Sequence, residues 1–300
     1  MIPYIDSHTH LHSLPWDVWE LLGMCGIQAA VISAGSPYLY RTVRTEVPGP
    51  REIEELWRQP ISLARTAPQD LLFRLYVSIG ISHVTRVRDW EKLVEKMPEY
   101  LQDPLVVAVG EMGLDPFQVW GMTWSLEEQE EVLKRQLQLA KLHGKPFILH
   151  TPSPKKRALV GGGTALPGDI KRYCLERDIR VVEAVGFPQD RLVVDHCDAA
   201  TLEFVLRETR ACAGISVGSA IRDVRPQDVA EMVARHGPER VLLNSDLIAY
   251  TSCDVFGLPA SFRAMRRLGL SVQEIRQVAF DNANAFYRLG LPFPASFNES

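Results

Sequence analysis

The chain has 300 residues, 46% hydrophobic and 23% charged, which are ordinary values for a globular protein long enough to bury a large core. Its 33 basic and 37 acidic residues leave a formal net charge of −4, which excludes a protein whose main trait is a basic surface but leaves room for a local basic groove. The five cysteines, Cys25, Cys174, Cys197, Cys212 and Cys253, form no CxxC pair, so they fit neither a disulfide framework nor a zinc ribbon and point to a reducing compartment.

Residues 1–11 carry no Lys or Arg, and no run reaches the roughly 18 apolar residues of a spanning helix. The expectation is a soluble, cytoplasmic protein with no membrane insertion and no obligate protein partner. β-like runs are predicted at Ile2–Asp6, Gln28–Ser33, Leu71–Ile79, Leu105–Gly110, Pro146–His150, Leu192–His196, Ala211–Val217 and Val241–Ser245. Helical periodicity fills the gaps. It is clearest over Leu126–His143, where Ser125 and Glu128 form a capping box and Gly144 is the stop. A last helical stretch, Ser271–Leu289, is expected to pack outside the repeat. Strands alternating with helices predict parallel pairing. An open doubly wound sheet and a (β/α)8 TIM barrel both fit, and the count of eight favours the barrel. The domain expectation is one barrel over 1–290, including the extra C-terminal helix, and a tail over 291–300. Two long loops, Gly35–Pro50 and Thr151–Gly168, follow strands and so belong on the catalytic face. Gly161-Gly162-Gly163 would let the second move as a lid.

Asp6-Ser7-His8-Thr9-His10 closes the first run, and a period of two sends Asp6, His8 and His10 to one side. Two imidazoles converging there suit a divalent metal, with Asp6 as a further ligand or an outer hydrogen-bond partner. Glu111, His150, His196 and Asp246 each stand where another run stops. In a barrel those ends form one ring. Four imidazoles and two carboxylates suffice for two cations, with Glu111 bridging them roughly 3.5–4 Å apart. Imidazole donors favour Zn²⁺ or Mn²⁺ over Mg²⁺.

At these residues the chain resembles the TatD-like metal-dependent hydrolases of the amidohydrolase superfamily, as a divergent branch. The resemblance rests on Asp6-Ser7-His8-Thr9-His10-Leu11, Gly110-Glu111-Met112-Gly113-Leu114-Asp115, Ile148-Leu149-His150-Thr151, His196-Cys197 and Ser245-Asp246, and runs to Asp281-Asn282-Ala283-Asn284-Ala285-Phe286. It implies that His8 and His10 hold one metal, that Glu111 bridges, that His150 and His196 hold the other, and that Asp246 binds metal or acts as general base. It also implies a substrate contact at His83. Two departures stand out. The family often has Glu-Thr-Asp-Ser-Pro around the last aspartate, whereas this chain has Asn244-Ser245-Asp246-Leu247-Ile248. Many members place an Arg after His-Thr for phosphate contact, where this chain has Pro152.

Other candidates have bland and functional readings side by side. His12 either lines the site or serves the loop. Lys155-Lys156-Arg157 is either a clamp for an anionic substrate or a solvated charge run. His143 and His236 sit at helix ends as caps. Trp16, Trp19, Trp120 and Trp124 fall near the mouth, where bases could stack. Gly214-Ile215-Ser216-Val217-Gly218 spells GxSxG, with Asp228 and His236 following, yet Ser216 lies inside a strand where a nucleophile elbow needs a sharp turn. Cys197 and Cys253 read as small buried groups. The expected function is hydrolysis by a metal-activated water, with Glu111 and Asp246 as the catalytic pair. The favoured substrate is a phosphodiester of DNA type or another phosphate ester. The alternatives are a small lactone or amide, and a barrel that has lost catalysis and only binds.

Overall fold

A computed structural model describes residues 2–35, 47–67, 71–83, 86–116, 124–153, 169–218, 224–248 and 254–295. All eight expected strands form: β1 (Tyr4–Thr9), β2 (Ile27–Ala34), β3 (Arg74–Ile79), β4 (Val106–Met112), β5 (Phe147–Leu149), β6 (Leu192–Val194), β7 (Cys212–Ser216) and β8 (Val241–Asn244). They pair in parallel in chain order. Backbone hydrogen bonds from Asp246 N to His8 O (3.1 Å) and from His10 N to Leu247 O (3.0 Å) stitch the end of β8 to β1. The sheet therefore curls into a barrel, and the open doubly wound alternative falls.

A helix follows each strand: α1 (Trp16–Met24), α2 (Pro50–Thr66), α3 (Trp90–Leu101), α4 (Leu126–Leu142), α5 (Ile170–Val185), α6 (Ala199–Glu208), α7 (Pro226–His236) and α8 (Gly257–Arg267). The predicted box at the start of α4 is present: Glu128 N donates to Ser125 Oγ (3.1 Å) and Ser125 N to Glu128 Oε2 (2.8 Å). His143 and Gly237 cap α4 and α7, with His236 in the last turn of α7.

Side chains along each strand alternate between two cores. Tyr4, Ala30, Ile32, Phe147, Leu149, Leu192 and Val194 face the helices. Ile5, Ala29, Val31, Val107, Ile148, Val193 and Leu242 face the lumen. The C-terminal segment follows the eight strand–helix units and closes one end of the lumen. Its helices α9 (Val272–Arg276) and α10 (Asn282–Tyr287), joined by a π-turn over Gln277–Asp281, do not lie outside the barrel. Phe280, Ala283, Phe286 and Tyr287 pack on the lumen residues instead. Asn282 Nδ2 donates to Pro238 O and Val241 O, which places this plug at the end where strands begin. The lumen needs an apolar floor, and the aromatic face of this segment supplies it. Its partners are scattered over six strands, so the segment's own periodicity could not name them.

Candidate metal centre

The opposite end of the lumen is polar. A register shift between Asp6 and Thr9 breaks the period of two set by Ile5, and it turns His8 and His10 to the centre, where both are buried. Glu111 stands on β4 after Gly110, whose φ of +118° and close approach to Ile148 O leave no space for a side chain. His150 lies one residue past β5 and His196 two past β6. Asp246 lies two past β8. His196 and Asp246 are non-glycine residues held at left-handed φ values of 63° and 48°. Strain of that kind concentrates at sites the surroundings enforce.

Glu111 is the hub. Its Oε1 faces His8 Nε2 at 3.8 Å and His10 Nε2 at 3.5 Å. Its Oε2 faces His150 Nδ1 at 2.9 Å and His196 Nε2 at 3.1 Å. Asp246 Oδ1 lies 3.6 Å from His10 Nε2. The ligand-type atoms of His8, His10 and Asp246 lie within 4.8 Å of one another, as do those of Glu111, His150 and His196.

Each imidazole is turned by a partner on its other nitrogen. His8 Nδ1 donates to Asp195 Oδ2 (2.6 Å) and His10 Nδ1 to the Ser33 carbonyl (3.2 Å). His150 Nε2 pairs with Asp115 Oδ2 (3.2 Å) and His196 Nδ1 with Ser216 Oγ (2.6 Å). A carboxylate or carbonyl on one ring nitrogen fixes the proton there and presents the other nitrogen as a donor to a cation. This is the donor chemistry a divalent metal requires.

The electrostatics follow from burial and neighbours. Burial alone would raise Glu111, yet the charges of His8 and His150 and hydrogen bonds from His10 and His150 hold it well below the usual carboxylate range. Burial opposes charge on His8 too, but Glu111, Asp195 and Asp246 outweigh it and lift the imidazole to about 10. Burial pushes Asp6 up to about 6, against hydrogen bonds from Ser245.

Helix side chains brace the loops that carry these groups. Gln136 on α4 grips the backbone of Ile81, accepting from its N (2.8 Å) and donating to its O (3.1 Å). Gln129, two turns earlier on the same face, grips Asp115 in the same way. On α5, the buried Lys171 donates to His196 O (2.5 Å) and pairs with Asp198 (3.2 Å), while Asp178 accepts from Leu114 N (3.2 Å).

The sequence profile of the TatD related DNase family matches residues 5–288. The chain belongs to the TatD family. It is 26% identical over 286 residues to an uncharacterized metal-dependent hydrolase of Methanocaldococcus jannaschii, covering 95% of this chain and 100% of that one. A 3'-5' RNA nuclease of Homo sapiens is 27% identical over 184 residues, covering 60% of this chain but 22% of the human protein. The crystal structure of a TatD-like protein from Archaeoglobus fulgidus superposes with a TM-score of 0.69 at 27% identity, covering 95% of this chain and 100% of that one. As a TatD protein the chain is a metal-dependent hydrolase on a (β/α)8 barrel.

The remaining expectations sort by position. His83 stacks on His150, with ring centroids 3.7 Å apart, and its Nε2 lies 3.8 Å from Asp115. It therefore borders the centre. His12 lies beside His10, with ring centroids 6.3 Å apart, and burial followed by the neighbouring His10 pushes it down to about 3. Asp6 accepts from His8 N (3.4 Å), Ser245 N (2.9 Å) and Ser245 Oγ (2.5 Å), buckling β1 to the segment that carries Asp246. Ser216 is no nucleophile elbow. It ends β7 and serves His196, while Asp228 is paired with Arg225. Trp19 and Trp124 are buried, whereas Trp16 is 43% exposed and lies stacked on Trp19. Burial pushes the Cys197 thiol up to about 12. Lys155, Lys156, Arg157, Gly161-Gly162-Gly163, Trp120 and Cys253 lie outside the described residues. No helix among the described residues is long and apolar enough to cross a membrane.

Sequence reasoning missed Asp195, Ser33 and the helix-borne Gln129, Gln136 and Lys171. For Asp195 a signal existed. Counting in twos from Val193 reaches Asp195, not His196, as the inward residue.

Proposed function

We propose that this TatD protein hydrolyses phosphodiester bonds of nucleic acid with two divalent cations. His8, His10 and Asp246 would hold one, His150 and His196 the other, and Glu111 would bridge. The observation that carries the reading is the division of Glu111, with one oxygen facing the His8 and His10 pair and the other facing His150 and His196. Charge supports it. Glu111, Asp115, Asp195 and Asp246 are all buried at the mouth, and burying four carboxylates is costly without matching positive charge. Two dications carry that charge. Imidazole-rich donors favour Zn²⁺ or Mn²⁺.

Bound there, such ions supply a Lewis acid for phosphoryl oxygens and make a nearby water acidic enough to ionise near neutral pH. The protein supplies the rest. In this reading Asp246 takes the proton of the attacking water on a carboxylate oxygen. His83, stacked on His150, contacts the phosphate in this reading. Trp16 offers an exposed indole face on a rigid base, because Trp19 beneath it donates its Nε1 to Leu11 O (3.0 Å). A nucleobase stacks on such a surface. The human relative, a 3'-5' RNA nuclease, and the family's DNase description favour a polynucleotide over a small ester.

The test is metal content together with cleavage of single-stranded oligonucleotides. Wild type is expected to take up two ions per chain and to lose substrate affinity steeply with salt. Glu111→Gln should lower cleavage more than about 100-fold, beyond what loss of an outer hydrogen-bond partner costs. A Glu111→Gln protein as active as wild type, or a wild type that takes up no metal, overturns the reading.

A further inference from the structure

We infer that Asp195 is the positioning residue of the His8, His10 and Asp246 half of the centre, acting on His8 and not on substrate; this rests on the two-cation reading above. Asp195 is 1% exposed. Asn244 Nδ2 donates to Oδ1 at 2.6 Å and His196 N to the same oxygen at 3.1 Å. Its backbone oxygen accepts from Thr151 Oγ1 at 2.7 Å. Held in this way from β8, from its own turn and from the segment after β5, the carboxylate presents Oδ2 to His8 Nδ1 at 2.6 Å. β7 leaves space for it. A side chain on Gly214 would meet Asp195 Oδ1 at 2.1 Å, so that position carries none.

The two halves of the centre are built alike. In each, one imidazole leans on a carboxylate (His8 on Asp195, His150 on Asp115) and one leans on a neutral oxygen (His10 on the Ser33 carbonyl, His196 on the Ser216 hydroxyl). A carboxylate behind an imidazole fixes the ring and strengthens it as a donor. Asp195 stands behind the ring of His8 and meets His196 only through its backbone N, so its loss should be felt mainly by one ion.

The experiment is calorimetric titration of the metal-stripped protein with Zn²⁺ or Mn²⁺, with long-range ¹⁵N NMR to read which nitrogen of His8 carries the proton. Asp195→Asn keeps the shape and removes the charge. It is expected to weaken one of two sites by about 10–100-fold and to leave the other unchanged. Asn244→Ala keeps the carboxylate but removes one of its holding bonds, and should weaken the same site by less than Asp195→Asn does while leaving the other unchanged. The double variant Asp195→Asn/Asn244→Asp returns a charge one hydrogen bond away and should recover part of the loss. Asp195→Asn binding both ions as wild type does overturns the inference. So does an Asn244→Ala protein as impaired as Asp195→Asn, since that would make the group a packing element. A wild type that binds no ion is a different result, which removes the two-cation reading itself. The His8 Nδ1 proton in the stripped protein then still tells whether Asp195 holds the ring.

Discussion

The two ends of the barrel are made from the same strands and solve opposite problems. At the end where strands begin, Ile5, Val31, Ile148, Val193 and Leu242 meet Phe280, Phe286 and Tyr287 in an apolar plug. At the other end the inward rows of β2, β5, β6 and β8 continue as Ser33, His150, Asp195 and Asn244, while a register shift brings His8 in from β1. Two residues along a strand change the neighbourhood from packing to chemistry. Burial is equally complete at both ends, so burial does not distinguish them; polar partners do. The plug is held by area removed from water. The mouth is held by side chains reaching in from α4 and α5, by the Asp6 buckle and by the carboxylates behind His8 and His150.

If the division is real, variants at the two ends should separate stability from metal binding. Phe280→Ala empties a fully buried aromatic site and should lower unfolding free energy by about 3–5 kcal/mol in urea titrations, while each folded molecule still takes up its metal. Glu111→Gln should do the reverse: cleavage collapses while the stripped protein is no less stable. A folded Phe280→Ala protein without metal would break the comparison. Tyr287→Phe probes the point where the ends meet, because its hydroxyl donates to Ser7 O (2.9 Å), one residue before His8. Stability should fall by about 1 kcal/mol with metal affinity unchanged. The smallest effect is expected at Asp178. Burial raises this carboxyl well above its ordinary value, against its hydrogen bond from Leu114. The folded protein therefore holds the proton more tightly than the unfolded chain, so this group favours folding at low pH, and that contribution is lost as pH rises from the unfolded value through the folded one. Asp178→Asn keeps an acceptor for Leu114 N. Its melting temperature should fall less between acid and neutral pH than that of wild type.

The same contrast explains what the sequence could show. Apolar alternation marks strands wherever both faces are packed, so all eight were legible. It fails at the mouth: β1 runs on to Thr9 because Ser7, His8 and Thr9 are buried by partners far along the chain. The ring of Glu111, the four histidines and Asp246 was legible because ligand-type residues recur at successive strand ends. The residues that turn them were not. Ser33 acts through its carbonyl, which every residue has. Gln129 and Gln136 look like ordinary helix residues until the backbone they grip is known. Asp195 was masked by the histidine beside it, whose left-handed backbone brings two consecutive residues to one site. The plug was read as a helix, but its destination depended on an end of the lumen that no local pattern describes.

The Asp6 buckle has a further consequence for how the protein comes into being. Asp6 and Ser245 are separated by 239 residues, and Tyr287 by 280 from the Ser7 carbonyl it holds. During synthesis the first strand, with His8 and His10 on it, must wait for nearly all of the chain before the carboxylate of Asp246 and the floor beneath it arrive. A nascent chain would carry two imidazoles of the centre long before their partners exist. On the two-cation reading, metal uptake into the finished arrangement awaits synthesis at least as far as Tyr287.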